Sequence, residues 1–128
     1  MLRIFKTNYF SRWAHKHTID DASLKKAVSE IRNGLLDARL GGHVVKKRIP
    51  LPGKGKRSGA RLILATNLEN RYFFIFGFEK SQRENITLQE LTTLKKLAKD
   101  LLSLSESKLN TAVIKGTLLE IENETYPV

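Results

Sequence analysis

The stretch RLILATNLENRYFFIFGFEK, residues 61–80, decides the fold because it holds two apolar runs around one polar turn. Both runs are rich in the β-branched and aromatic residues of strands, and the "LENR" between them has the length and composition of a hairpin turn. Pairing Leu68 with Arg71 in that turn sets the register and brings Arg61 opposite Phe78. The stretch therefore predicts two adjacent antiparallel strands.

The predicted register gives the hairpin two apolar faces. Side chains alternate between the faces of a strand, so every second residue points the same way. One face would carry Ile63, Ala65, Phe74 and Phe76, and the other Leu62, Leu64, Phe73 and Ile75. Strands that are apolar on both faces are central strands, which need cover from helices or from a partner on both sides.

The segments on either side of the hairpin have the periodicities of short strands and amphipathic helices. The proposed N-caps are Asn8, Asp20 or Asp21, Thr87 and Ser105, and Leu35 and Leu88 are expected in buried helix stripes. The patterns predict strands at 2–7 and 44–51, helices at 8–18, 21–35, 88–104 and 106–115, and an extended end at 117–121. This order predicts an α+β fold, a small antiparallel-rich sheet with an N-terminal helical hairpin and a C-terminal helix.

Length and composition limit the class of protein. The 128 residues suffice for one core, so we expect a single domain over 1–128, in which 105–128 forms a C-terminal extension. The chain has no cysteine, which excludes disulfides and thiolate metal ligands. No apolar run approaches the ~20 residues of a membrane-spanning helix, and we see no signal-peptide pattern. We expect a cytoplasmic protein with no membrane partner.

Positive charge is concentrated in one segment. The net charge is +10, and residues 46–61, KKRIPLPGKGKRSGAR, contribute seven cations and no acid. Lys54, Lys56 and Arg57 would lie at the tip of a glycine-rich loop, within reach of phosphate. An acidic protein or an anionic lipid would also fit such a patch, and a basic loop without function is the other interpretation. The glycine spacing matches neither a P-loop nor a dinucleotide fingerprint.

Four cations from separate segments form a second candidate cluster. They are Lys47, Arg61, Lys80 and Arg83, and three of them lie at or beyond strand ends that the hairpin register brings to one end of the sheet. Cations that converge on one point are costly without an anion between them, and they suit a phosphoryl group whose charge grows in the transition state. The alternative interpretation is that each is a solvated charge at a strand end.

Conventional catalytic residues are sparse. The three histidines share no metal-ligand spacing, so the sequence predicts no metal site and no cofactor. We expect His17 to pack beside Trp13, and His43 remains a weak acid/base candidate. Glu79 and Glu84 flank the segment from Lys80 onward without a paired-carboxylate pattern, which favours ion pairing over chemistry.

Nearly the whole chain resembles the RelE/HigB-type toxins of bacterial toxin–antitoxin modules, and in particular the HigB-like subgroup. No single motif is diagnostic, but the order in which the motifs occur is fairly specific. The matching segments are "FKT" at 5–7, "RW" at 12–13, "GLLDARLGG" at 34–42, "VVKKRI" at 44–49, "PGKGKRSGARLILA" at 52–65, "YFFIFGFEKSQRENI" at 72–86 and "LLEI" at 118–121.

The resemblance implies a microbial-RNase-like sheet, mRNA cleavage at the ribosome without a metal, and neutralisation by a cognate antitoxin that often carries a helix-turn-helix. In cleavage of this type the 2′-hydroxyl of the RNA attacks the adjacent phosphorus, so that RNA but not DNA is cut. The positions that match the phosphate-holding residues of such toxins are Lys47, Arg61, Lys80 and Arg83. The resemblance assigns contacts with RNA or the ribosome to Lys46, Arg48, Lys54, Lys56 and Arg57, and it leaves the general base and acid unassigned.

The leading hypothesis is a ribosome-dependent endoribonuclease toxin. The second is a non-catalytic module that binds RNA or an antitoxin. The third, direct DNA contact by a transcriptional regulator, lacks a helix-turn-helix pattern with basic recognition positions.

Overall fold

The computed structural model describes residues 1–53 and 58–123, and within them the chain forms six strands and four helices. In chain order these are β1 (Arg3–Thr7), α1 (Asn8–Lys16), α2 (Asp21–Arg32), β2 (Ala38–Gly41), β3 (Val44–Ile49), β4 (Ala60–Thr66), β5 (Arg71–Glu79), α3 (Leu88–Leu102), α4 (Glu106–Ile114) and β6 (Leu118–Ile121). The strands form one sheet in the order β2-β3-β4-β5-β1-β6. The expected α+β fold with an antiparallel-rich sheet is confirmed.

Helices cover the sheet on both sides, as the two apolar faces of the hairpin predict. On one side, the α1–α2 face, the core is built by residues including Phe10, Leu24, Leu62, Leu64 and Phe74. On the other side, the α3–α4 face, it is built by residues including Phe5, Ile63, Phe73, Leu94 and Leu109. The central strand β4 is buried along its whole length, because both of its faces are covered.

The hairpin register is confirmed near the open end and wrong near the turn. Arg61 lies opposite Phe78 as expected, but the register shifts between Ile63 and Leu64, so that Leu64 faces Phe74. This irregularity moves Phe74 to the α1–α2 face and Ile75 to the α3–α4 face. A bulge of this kind reverses the alternation of every residue beyond it.

The turn of the hairpin is closed by a side chain. The Asn67 Oδ1 accepts hydrogen bonds from the backbone N–H groups of Glu69, Asn70 and Arg71. The pairing therefore ends at Thr66 opposite Tyr72, and the expected Leu68–Arg71 pair does not form.

Capping side chains set the starts of the helices. Asp20, Thr87 and Ser105 are N-caps as predicted, and Thr87 forms a reciprocal capping box with Glu90. The first helix is capped by Thr7, whose Oγ1 accepts from the Phe10 N–H, and not by Asn8.

Two residues expected in buried stripes are exposed. Leu88 is 84% exposed because it stands in the first turn of α3, before the helix reaches the sheet. Leu35 is 57% exposed because α2 ends at Arg32, and Gly34 then turns the chain with a φ of 89°.

Several features of the sheet and of the helix pair differ from expectation. β3 ends at Ile49, since Pro50 has no N–H to continue the ladder. β2 was not predicted, and β1 pairs with β5 in parallel. The two N-terminal helices match a hairpin only in part, because α1 packs mainly along β5 and α2 on β3.

No helix in the described parts of the chain has the length and apolar character needed to cross a bilayer.

Candidate functional site

Three cations of neighbouring strands share the α3–α4 face. Arg48 lies directly opposite Arg61, and Lys46 lies opposite Ile63, which belongs to the core of that face. Cross-strand partners point to the same side of a sheet, so Lys46, Arg48 and Arg61 project together. We call these three residues, with Lys80 and Arg83, the cation cluster.

Arg61 is held in a poorly solvated position. Its residue exposure is 8%, and its Nε lies 3.9 Å from the Oδ2 of Asp37. The Oδ1 of the same carboxylate accepts a hydrogen bond of 3.2 Å from the Nε of Arg48. Burial lowers the pKa of Arg61, the positive charge of Arg48 lowers it further, and Asp37 opposes both. A guanidinium in such a position gains from an additional anion.

Arg83 is fixed over two aromatic rings by a bidentate ion pair. Its guanidinium carbon lies 5.3 Å from the centre of the Phe76 ring and 5.4 Å from that of Phe78. Its two terminal nitrogens donate to the Glu90 carboxylate at 2.9 and 3.0 Å. These bonds, together with the N–H of Thr87, lower the pKa of Glu90. Arg61 is the cross-strand partner of Phe78, so both arginines adjoin this aromatic residue.

Lys80 begins the turn after β5, and the segment that follows this turn reaches Lys46. The Lys80 Nζ donates to the Glu84 carboxylate at 3.1 Å, as the expected ion pairing predicts. The Lys46 Nζ lies 3.5 Å from the Asn85 side-chain oxygen. The turn between β5 and α3 thus gathers Lys46, Lys80 and Arg83 at one end of the sheet.

Lys47 does not join the cluster, so the expected convergence of all four cations is wrong at this position. Lys47 alternates with Val45 and Ile49, which are core residues of the α1–α2 face. It is 4% exposed, and its Nζ lies 2.7 Å from the Glu30 carboxylate on α2. A lysine buried on the opposite side of β3 serves the contact between sheet and helix.

Each of the four predicted cations has a carboxylate within 4.0 Å in this structure. The pairs are Lys47–Glu30, Arg61–Asp37, Lys80–Glu84 and Arg83–Glu90. The positive charge of the cluster is therefore partly compensated by the chain itself, which the sequence indicated only for Lys80 and Glu84. The other predicted RNA contacts, Lys54, Lys56 and Arg57, lie outside the described residues.

The chain matches the family described as "RelE toxin of RelE / RelB toxin-antitoxin system" over residues 2–121. The chain belongs to the RelE toxin family. No curated protein and no solved structure shows a significant match to it.

In this RelE-family chain His43 lies away from the cation cluster, whereas His17 contacts the residue that precedes Lys80. His43 has a φ of 64° in the turn between β2 and β3, at the opposite end of β3 from Arg48. His17 packs beside Trp13 as expected, with ring centres 4.6 Å apart, and its Nδ1 contacts the Glu79 carboxylate. No group of three or more metal-ligating side chains occurs within residues 1–53 and 58–123.

Sequence reasoning missed two members of this RelE-family site. Asp37 positions Arg61, and Glu90 positions Arg83. In the sequence, however, Asp37 only precedes β2 and Glu90 only stands near the start of α3, so that both look like ordinary acids. For Glu90 there was a signal, since Thr87 and Glu90 have the spacing of a capping box and its carboxylate is then held at the start of the helix. For Asp37 we find no such signal.

Proposed function

We propose that this RelE-family toxin is a ribosome-dependent endoribonuclease in which Arg61 and Arg83 hold the scissile phosphate of mRNA. The observation that carries the proposal is that Arg61 is the cross-strand partner of Phe78, the residue whose ring centre lies 5.4 Å from the Arg83 guanidinium carbon. Toxins of this family are generally endoribonucleases, which supports the same assignment.

Two fixed guanidinium groups suit the charge that develops in this reaction. Attack by the 2′-oxygen, which loses its proton, gives a pentavalent phosphorane whose extra negative charge lies on the non-bridging oxygens. The P–O5′ bond then breaks, which leaves a 2′,3′-cyclic phosphate on one product and a 5′-oxygen that takes up a proton on the other. Donors that are already in position stabilise that charge without reorganisation, and one such donor is worth about 3–4 kcal/mol in well-studied enzymes. The low exposure of Arg61 strengthens this interaction, since little water competes for its guanidinium.

The carboxylates of the cluster have two roles in this proposal. Asp37 and Glu90 orient the arginines, and the bidentate Arg83–Glu90 geometry leaves part of the guanidinium fork available to a phosphate. In the Lys80–Glu84 pair the Glu84 side chain is 91% exposed to solvent. Exposed pairs are worth only about 0–1 kcal/mol, so phosphate would displace Glu84 at small cost.

The remaining cations divide by location. Lys80 supports the phosphate, and Lys46 and Arg48 continue the positive surface along β3, where they would contact RNA of the message or the ribosome. Lys54, Lys56 and Arg57 are proposed as further RNA contacts on sequence grounds alone. Lys47 is left out of the phosphate site because it is bound to Glu30 on the other face of the sheet.

Expression of the toxin in a bacterial host tests the proposal. Induction of the wild-type chain should arrest growth, and mapping of mRNA 5′ ends should reveal new cuts at codon-defined positions. Arg61→Ala and Arg83→Ala should relieve both effects while the proteins stay folded. The matched control is Lys26→Ala, which removes an exposed lysine of α2 and should leave the toxicity unchanged. Normal growth with abundant soluble wild-type protein would contradict the proposal.

A non-catalytic module that binds RNA or an antitoxin is the second candidate, and the carboxylate partners of the predicted cations favour it. This alternative predicts binding of RNA that weakens with salt, but no new 5′ ends after induction. The two candidates are thus separated by the same mapping experiment.

The partners follow from the family. RelE-type toxins pair with an antitoxin, and we propose that the one for this chain carries a helix-turn-helix, as expected for the HigB-like subgroup. We also propose that both act in the cytoplasm, where ribosomes and mRNA are found. Co-purification of an untagged partner with the tagged toxin, followed by its sequencing, would test this assignment.

A further inference from the structure

Helix α1 takes the place of a strand beside the end of β5. β1 ends at Thr7, and its parallel pairing with β5 reaches only as far as Lys6 opposite Phe74. Beyond that point α1 runs along β5 and contacts it at every turn. The three contacts are Tyr9 stacked on Phe76, Trp13 against Gly77, and the His17 Nδ1 on the Glu79 carboxylate.

The contact at Gly77 fixes the distance between helix and strand. A Cβ at this position would lie 2.3 Å from the Trp13 ring, so only glycine permits the approach. The neighbouring stack of Tyr9 on Phe76 is parallel, with an interplanar angle of 6° and ring centres 5.9 Å apart. These contacts hold α1 against β5.

The side of α1 that lies along β5 also carries aromatic and basic residues that reach solvent. Tyr9, Arg12, Trp13 and Lys16, spaced i, i+3, i+4 and i+7, line a shallow cavity of about 410 Å³. We call these four residues the α1 strip. Tyr9 is 57% exposed although one face of its ring is covered by Phe76. The first acid of the chain is Asp20, so α1 contains no carboxylate that would neutralise the strip.

The α1 strip is continuous with the cation cluster. The Arg83 guanidinium lies over Phe76, and Phe76 stacks on Tyr9, the first residue of the strip. A path along the surface therefore passes from a phosphate-binding cation to an exposed ring and on to two further cations. Single-stranded nucleic acid offers the matching sequence of groups, because its phosphates alternate with bases whose π-faces are free.

We infer that the α1 strip binds single-stranded RNA next to the scissile phosphate, with one nucleobase stacked on Tyr9 and phosphates at Arg12 and Lys16. The identity of the polyanion as RNA rests on the proposed function. A duplex would not fit this arrangement, since its bases are stacked on each other and are not available to a side chain.

Trp13 provides the readout, because it is the only tryptophan of the chain and lines the cavity. The probe is a short single-stranded 2′-O-methyl oligouridine, which lacks the nucleophilic hydroxyl and is therefore bound without being cut. Titration into the 128-residue chain should quench the Trp13 emission to saturation. Tyr9→Ala should weaken binding by about 5-fold or more, the low end for loss of a base stack.

Charge-matched variants separate the strip from non-specific attraction. Lys16→Ala should reduce the salt dependence of binding, lowering the slope of log K against log salt by about 0.7. Lys26→Ala removes the same charge from an exposed position of α2 and should leave the slope and the quenching unchanged. Thermal unfolding of each variant checks that the fold is intact, and Arg12→Ala serves as a second exposed variant if Tyr9→Ala unfolds.

Three outcomes would overturn the inference. They are an absence of oligouridine binding, binding by anisotropy without any change of Trp13 emission, and quenching by the antitoxin but not by RNA. The last would identify the strip as a protein interface. If RNA quenches Trp13 but the wild-type toxin makes no cuts on ribosomes, RNA binding by the α1 strip is supported and the proposed cleavage is refuted. If the toxin cuts mRNA but RNA does not quench Trp13, the proposed cleavage is supported and RNA binding by the strip is refuted.

Discussion

Lys46 and Lys47 are neighbours in the sequence but lie on opposite faces of β3, so their replacement should separate stability from RNA binding. The Lys47 Nζ is 2.7 Å from the Glu30 carboxylate, and the side chains are 5% and 20% exposed. Lys47→Met keeps most of the aliphatic packing and removes only the charge. Glu30 would then lose this partner in a largely buried position.

The size of the effect follows from the burial of the pair. Removing one member of a fully buried ion pair costs about 3–5 kcal/mol. Because one-fifth of the Glu30 side chain reaches solvent, we expect a smaller loss, about 2 kcal/mol in the free energy of unfolding. For a domain of this length that corresponds to a decrease of about 6–10 °C in Tm.

Chemical denaturation and ribosome binding together measure the two effects. Lys47→Met should lower the denaturation midpoint. Adding Glu30→Gln should recover part of the loss, because the carboxylate that has lost its partner is then replaced by a neutral amide. Lys46→Met is the matched control, with an unchanged midpoint and weaker binding to ribosomes. Equal midpoints for Lys46→Met and Lys47→Met, or a loss of ribosome binding in stable Lys47→Met alone, would refute the assignment of the two faces.

Two further substitutions test the contacts around the site. Gly77→Ala would drive a Cβ into the Trp13 ring. It should therefore lower the free energy of unfolding by about 1–3 kcal/mol and shift the Trp13 emission. An unchanged denaturation midpoint and emission spectrum would contradict the packing of α1 on β5. The pKa of Glu90 lies below its ordinary value of 4.5 because Arg83 and the Thr87 N–H donate to its carboxylate. The contribution of the Glu90 carboxylate to stability is therefore complete above pH 4.5 and is lost as the pH falls through the lowered pKa. The free energies of unfolding of wild type and Glu90→Gln should differ at neutral pH and converge in acid. A difference in urea denaturation that stays constant at all pH values would argue against this role of Glu90.

The parts of the fold that were predicted correctly depend on local patterns. The Thr87, Asp20 and Ser105 caps and the leucine spacing of α3 are visible within a few residues, and the structure confirms the caps and, apart from Leu88, the stripe. The two apolar faces of the hairpin also indicated helices on both sides, since alternation needs no knowledge of distant contacts.

The parts that failed depend on contacts far apart in the chain. β2 has only four residues and no apolar alternation, and the parallel pairing of β1 with β5 has no local sequence signal. The register shift between Ile63 and Leu64 moved Phe74 to the other face, which no turn residue indicated.

For the candidate site, the types of residue were easier to predict than the face of the sheet to which each side chain points. The basic segment pointed to phosphate through its charge alone, but Lys47 was grouped with Arg61 although the two lie on opposite faces. The alternation of Lys47 with the apolar Val45 and Ile49 indicates that its side chain points to the same face of the sheet as theirs, the α1–α2 face. The carboxylates that orient Arg61 and Arg83 come from the segments before β2 and after β5, and only the folded chain brings them there.

Single-turnover cleavage of mRNA in a purified ribosome complex tests the central claim most directly, because it measures the chemical step without antitoxin or cell growth. Arg61→Ala and Arg83→Ala should each slow the cut by about 100- to 1,000-fold at saturating toxin, whereas Lys26→Ala should match the wild type. Wild-type rates in both arginine variants would contradict the claim that these two guanidinium groups stabilise the phosphate in its transition state.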